Sequence, residues 1–313
     1  MQSKLKTLVT VIADSNFVIP VYVLILSLKY FEPARRVHIL GILLTDAEKA
    51  FFTQFGNVFV FDSSIPRSDM PGSMRIIADI LKGEALLTAK DCDELWVALL
   101  DGDCIATGPI EPCLAPEVPA LYARSRSKKE DARIFRYYHS PGEAMRGIPA
   151  RFLTRRQKDT GRKTRPARTT TVLSGNLILH RNYLDFARVW QNFMEKVLDH
   201  VNPSKTDAAY YIPAEFALSA WLMFADNPPP VREVQLNSNP EACPAHLGPA
   251  PKYWRLWTWK HLPYSIRSCT CSTGQKNRDM LYLYCLTPLK SVISRPLWRW
   301  LPPAEFLMRC GGN

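Results

Sequence analysis

The chain lacks the patterns that would place it at once in several functional classes. Its eight cysteines, at 92, 104, 113, 243, 269, 271, 285 and 310, include no CxxC pair. Zinc ribbons and dithiol redox motifs need that spacing. Reduced structural thiols are therefore expected, Cys269 and Cys271 included. No GxxxxGK[ST] loop is present and no GxGxxG follows the first predicted strand, which argues against Walker-type and dinucleotide sites. Internal repeats are absent too. The apolar run Phe17 to Leu28 has 12 residues and contains Pro20, too short to cross a bilayer. Lys4 and Lys6 open the chain like a signal sequence, but Asp14-Ser15-Asn16 interrupts the apolar stretch behind them. A cytoplasmic protein without a membrane span is expected.

The 313 residues suffice for one large α/β domain or two small ones. What the chain has in excess is positive charge, and it is concentrated. The formal net charge is +11. Between Arg124 and Arg168 stand 15 Lys/Arg against 4 Asp/Glu, and the rest of the chain carries 25 of each. Like charges at this density repel, so a loop is expected there. Its natural partner is a polyanion: a phosphorylated glycolipid, an anionic membrane or nucleic acid. A solvated solubility loop is the plainer alternative.

The strongest local signal is Leu95-Trp96-Val97-Ala98-Leu99-Leu100-Asp101-Gly102-Asp103. An apolar strand runs directly into two carboxylates. In extended chain, residues i and i+2 share a side, so Asp101 and Asp103 are expected to converge. Gly102 between them is expected to let a ligand approach the backbone. Two carboxylates at a sheet edge form a hard-oxygen site for Mg²⁺ or Mn²⁺ with open positions for phosphate oxygens. A strand followed by an ordinary Asp-Gly turn is the alternative.

Around this strand the apolar pattern alternates. Leu8 to Ile12, Val37 to Leu44 and Val58 to Phe61 read as strands, separated by helices over Val21 to Tyr30 and Lys49 to Phe55. Thr45-Asp46-Ala47-Glu48 resembles a capping box, with the glutamate at N3 or one short of it. A helix over about Ser73 to Lys82 precedes the Asp-Gly-Asp strand. This order is a βαβ layer with a mainly parallel sheet, in which ligands bind beyond the carboxyl ends of the strands. The second half is less regular. Pro119 to Tyr122 and Val172 to His180 read as strands, and Leu184 to Leu198 and Pro213 to Phe224 as helices.

Taken in order, these pieces resemble a GT-A-type glycosyltransferase, most of all the bacterial lipopolysaccharide-type galactosyl- and glucosyltransferases of glycosyltransferase family eight. The likeness spans roughly residues 5 to 270 through short motifs. Ala13-Asp14-Ser15-Asn16-Phe17 is similar to the family's Ala-Asp-Asp-Asn-Tyr, which implies that Asp14 and Asn16 hold the nucleoside. An Asx turn capping the next helix explains the same residues. Met74-Arg75-Ile76-Ile77 resembles Tyr-Ala-Arg-Leu and gives Arg75 a donor contact, or leaves it a surface arginine. Asp101 and Asp103 match the DxD metal motif. Val172 to His180 resembles the strand lining the sugar pocket, with Gly175 on the family's glycine, Ser174 beside it, and Asn176 displaced from the family's asparagine. Glu215 falls where the family has a glutamine near the anomeric carbon. A catalytic base is one reading of Glu215, and a first-turn glutamate favoured by the helix dipole is the other. In Trp259-Lys260-His261, His261 fits the third metal ligand, and Arg267 stands near the family's phosphate-binding lysine.

The resemblance implies an α/β, Rossmann-like nucleotide-sugar-binding fold with a mainly parallel central sheet. It implies transfer from a nucleotide-diphosphate donor, a UDP-sugar, with Mn²⁺ or Mg²⁺ and with retention; inversion stays open if Glu215 reaches the acceptor hydroxyl. The expected organisation is a nucleotide-sugar and metal half over 1–123, a basic loop over 124–171 and a sugar/acceptor half over 172–270. A basic-aromatic segment over 271–313 suits peripheral membrane contact at the inner face. Lipopolysaccharide or a lipid-linked glycan is the first acceptor class. Hydroxymethylated bases of DNA come second. A non-catalytic nucleic-acid-binding scaffold would not need the aspartate pair. A sugar nucleotidyltransferase would need a Gly-rich basic loop where Asp14 to Val18 stands.

Overall fold

The computed structural model describes residues 7–64, 74–106, 109–110, 118–135, 142, 147–159, 168–198, 213–225, 227–233 and 245–246. The strands are β1 (Thr7–Asp14), β2 (Val37–Ile42), β3 (Val58–Asp62), β4 (Trp96–Leu100), β5 (Cys104–Ile105), β6 (Leu121–Ser125), β7 (Val172–His180), β8 (Val231–Glu233) and β9 (Ala245–His246). The helices are α1 (Val18–Phe31), α2 (Asp46–Thr53), α3 (Met74–Ile80), α4 (Lys82–Leu87), α5 (Lys128–Ile134), α6 (Ala150–Asp159), α7 (Phe186–Leu198) and α8 (Pro213–Phe224). Seven strands form one sheet in the order β3-β2-β1-β4-β7-β6-β8, and β5 pairs with β9 in a second. β3, β2, β1 and β4 run parallel, and β7 lies antiparallel to both β4 and β6. The mainly parallel α/β architecture expected from the sequence is the one found.

Strand alternation builds a core on each face of the sheet. Leu8, Val97 and Leu99 turn to the face covered by α4, α7 and α8, where they meet Leu86, Trp190 and Phe216. Val9, Val11, Ala98 and Leu100 turn to the other, against Val21, Leu24 and Leu28 of α1. Thr45 caps α2 with a complete capping box, Glu48 standing at N3.

The basic segment, expected as a loop, carries two helices. Ser127 and Glu130 close a capping box at the start of α5. α6 is anchored by Phe152, whose ring centroid lies 4.6 Å from that of Phe135 and 5.5 Å from that of Phe216. Apolar anchoring on one side outweighs the repulsion that surface charges keep in water.

His38 on β2 is 3% exposed and sits 3.2 Å from Thr88 Oγ1 through Nδ1. Burial, then the neighbouring Arg36 charge, lower its pKa from the ordinary 6.5 to about 4. The unfolded chain therefore binds the extra proton first. His38 is expected to contribute about 3 kcal/mol above pH ~6.5, lost progressively as pH falls to about 4, with no further slope below. Urea unfolding of the wild type and of His38→Gln across this window checks it; parallel pH profiles would rule it out.

Candidate active site

The carboxyl ends of β1, β2 and β4 lie along one edge of the sheet, and the Ser174-Gly175-Asn176 stretch of antiparallel β7 joins them there. Asp14 ends β1. Its Oδ1 accepts hydrogen bonds from the backbone N–H of Asn16 at 2.8 Å and of Phe17 at 3.0 Å. The Asx turn foreseen as an alternative is thus present. Burial raises the Asp14 pKa, while these N–H donors pull it down. Ser15 donates to Glu48 Oε2 at 3.2 Å, and the same carboxylate oxygen accepts from Thr45 N at 2.7 Å. The loops after β1 and β2 are thereby tied together. Asn16 is exposed beside them.

Asp101 to Cys104 is a turn, not extended chain: Cys104 N donates to Asp101 O at 3.0 Å. Strand alternation therefore does not set the relation between the two carboxylates. Gly102 also differs from expectation. It is buried, and a Cβ there would lie 3.0 Å from both Phe17 Cδ1 and Val21 Cγ2. Its missing side chain lets the turn pack on α1; it does not open room for a ligand. Asp103 is 6% exposed.

Gly175 on β7 has the opposite use. A Cβ there would collide with Asp101 Oδ2, so the glycine makes the space in which that carboxylate stands. The backbone holds the same point, since Asp101 N donates to Gly175 O at 2.8 Å. Asn176 Oδ1 accepts from Asp101 N at 3.3 Å and from Cys104 Sγ at 2.9 Å. Asn176, displaced from the family pattern, therefore supports the Asp-Gly-Asp turn from beneath.

Lys82, which the sequence reading did not single out, completes this side. Its Nζ lies 3.0 Å from Asp79 Oδ1, 3.3 Å from Asp101 Oδ1 and 3.3 Å from Ser174 Oγ. Burial works against its charge, but Asp101 and then Asp79 overcome this and hold its pKa above the ordinary value. The available signal was a lysine set three residues after Asp79 in an otherwise apolar stretch. Arg75 lies in α3, its side chain outside the described residues.

Glu215, in the first turn of α8, forms an ion pair with Arg126. Burial raises its pKa, and the Arg126 and Lys82 charges oppose that rise. Among the described residues, the buried Nε atoms of Arg126 and Arg168 find no hydrogen-bond partner. His261, Arg267 and the segment 271–313 lie outside the described residues. Among the described residues no group of three His, Cys, Asp or Glu converges as a metal site. Carboxylates such as those of Asp101 and Asp103 are the hard oxygen donors that a divalent ion takes, together with water and phosphate. No described helix is long and apolar enough to cross a membrane.

No protein-family model matches the chain, and no curated protein matches it by sequence. Solved structures do match. WbbM, a bifunctional glycosyltransferase, superposes with a TM-score of 0.50 at 11% identity, over 81% of this chain and 48% of its own. The fold is that of a solved glycosyltransferase. The galactosyltransferase LgtC, solved with donor and acceptor sugar analogues, gives a TM-score of 0.49 at 14% identity, over 96% of this chain and 98% of its own. GlyE of Streptococcus pneumoniae gives 0.41 at 13%, over 74% and 46%. The chain spans about half the length of WbbM and of GlyE.

Proposed function

We propose that this chain is a glycosyltransferase that moves a sugar from a nucleotide diphosphate, a UDP-sugar, to a hydroxyl of an anionic acceptor. The observation that carries the reading is the Asp101-Gly102-Asp103 turn at the carboxyl end of β4. There the Asp101 carboxylate sits against Gly175 and faces Lys82, on a fold shared with a solved glycosyltransferase. In the reaction, the bond between the anomeric carbon and the diphosphate oxygen breaks. The acceptor oxygen forms the new bond and its proton is released.

Asp14 and Asn16 bind the nucleoside hydroxyl and imide groups, which short polar side chains suit. Negative charge grows on the departing diphosphate, and Lys82, Arg75 and Arg267 supply the positive charge that stabilises it. Asp101 and Asp103 would hold Mn²⁺ or Mg²⁺, with His261 as a third ligand. When bound there, the ion supplies Lewis-acid stabilisation of the diphosphate. Gly175 gives the Asp101 carboxylate its place, and Ser174, 1% exposed, holds Lys82 rather than the sugar. Glu215 fits a role in fixing Arg126 and Lys82 better than that of a free base, because its carboxylate is already paired.

The basic segment connects β6 to β7 and so borders this edge, which suits an acceptor bearing phosphates, such as a lipopolysaccharide core or a lipid-linked glycan. UDP with Mn²⁺ is expected to raise the melting temperature, by the equivalent of about 2.7 kcal/mol at ~100 times its Kd. Asp14→Ala is expected to shrink that shift. If no nucleoside diphosphate moves the melting temperature, the reading fails.

A further inference from the structure

Leu43 follows β2 directly, beside the strand end where Ile42 pairs with Asp14. Its φ is 53°, and the residue is 43% exposed. The left-handed region costs a residue with a Cβ on the order of 1–2 kcal/mol. Glycine and asparagine enter that region most readily, and the other described non-glycine residue there is Asn57, at φ 63°. The turn itself has a clear purpose. It sends Leu44, 6% exposed, into the core and brings Thr45 to cap α2. Glycine or asparagine at 43 would serve that turn at lower cost. An isobutyl group at this φ adds strain and leaves apolar surface in water.

Strain of this kind, at the carboxyl edge of a parallel sheet, points to a ligand contact. Ser15, bonded to Glu48, holds the loop after β1 against the loop that carries Leu43. From β2 to β4 is two strand spacings, about 10 Å, a span that a nucleoside diphosphate bridges from base to terminal phosphate. Asp101 and Lys82 mark the phosphate end, and Leu43 stands at the other. Resting on the donor-site reading above, we infer that Leu43 is the apolar platform for one face of the donor's nucleobase, beside the polar edge offered by Asp14 and Asn16.

Calorimetric titration of the full chain with Mn²⁺ and either UDP or inorganic pyrophosphate tests this. Leu43→Gly removes platform and strain together, so its melting temperature is expected at or above wild type. UDP affinity is expected to fall about tenfold, the value of burying much of one leucine side chain, with pyrophosphate affinity unchanged. Leu43→Asn, which also tolerates this φ, is expected to behave likewise and covers the case in which the glycine variant fails to fold. Unchanged UDP affinity in a folded variant overturns the inference and leaves the donor site standing. Equal losses for UDP and pyrophosphate also overturn it, because the residue would then be shaping the loop. A wild-type chain that binds no nucleoside diphosphate overturns both.

Discussion

Lys82→Met is expected to destabilise the chain by about 3 kcal/mol and to cut donor turnover by about a hundredfold or more. Methionine keeps most of the stem that Lys82 buries but removes the charge. Lys82 is 7% exposed, and it neutralises Asp79 and Asp101 while also acting on Glu215. Without it, Asp79 and Asp101 lose the charge they share, and leaving partly buried charges uncompensated is the costly way to break an ion network. Part of the lost stability should return in mild acid, where Glu215, already raised by burial and now without the Lys82 charge, takes up a proton. That recovery separates a charge effect from a packing effect. Urea unfolding at two pH values and the rate of donor hydrolysis are the measurements. A variant as stable and active as wild type would show that Lys82 is a bystander.

Asp103→Ala and Asp101→Ala are each expected to lower donor hydrolysis by roughly a thousandfold or more, as loss of a metal ion worth several kcal/mol to the leaving group requires. Nucleotide binding should lose its Mn²⁺ dependence in both. The two differ in structural cost. Asp101 is held by Lys82 and by the space at Gly175, so its removal also frees Lys82 from a partner. Asp103→Asn keeps the buried volume and controls for the fold. Full activity in EDTA, or in either alanine variant, would remove the metal from the mechanism.

The strands and their order were legible because a buried parallel strand is a nearly continuous apolar run, and Leu95 to Leu100 ends abruptly in acid. The aspartates stood out for the same reason, whereas Gly175 was singled out only through the resemblance of the Val172 to His180 strand to a family motif. Gly102 was misjudged because Phe17 and Val21, which occupy the place of its missing side chain, are remote in sequence; the alternation expected of the two aspartates failed because the Asp101–Cys104 turn ends the extended chain. Lys82 escaped notice because its partner Asp101 is remote in sequence; a buried lysine and a solvated one read alike until the counter-charge is located. Helix α6 was hidden by its arginines, since Phe152 identifies its anchored side only once Phe135 and Phe216 are in place. Asn57 and Leu43 share a backbone conformation that only asparagine advertises in a sequence.

The pairing of β4 with β7 also sets a timetable for biosynthesis. Asp101 and Asn176 are 75 positions apart. At ribosomal rates of about 5–20 residues per second, the later partner emerges about 4–15 s after the earlier one. Throughout that interval β4 is the open edge of a nascent four-stranded sheet, with unpaired backbone groups that another chain can occupy. The Asp-Gly-Asp turn meanwhile lacks both the glycine that receives its carboxylate and the asparagine beneath it. The candidate site is therefore a late product of folding, and slow synthesis lengthens the period in which the emerging protein is prone to association.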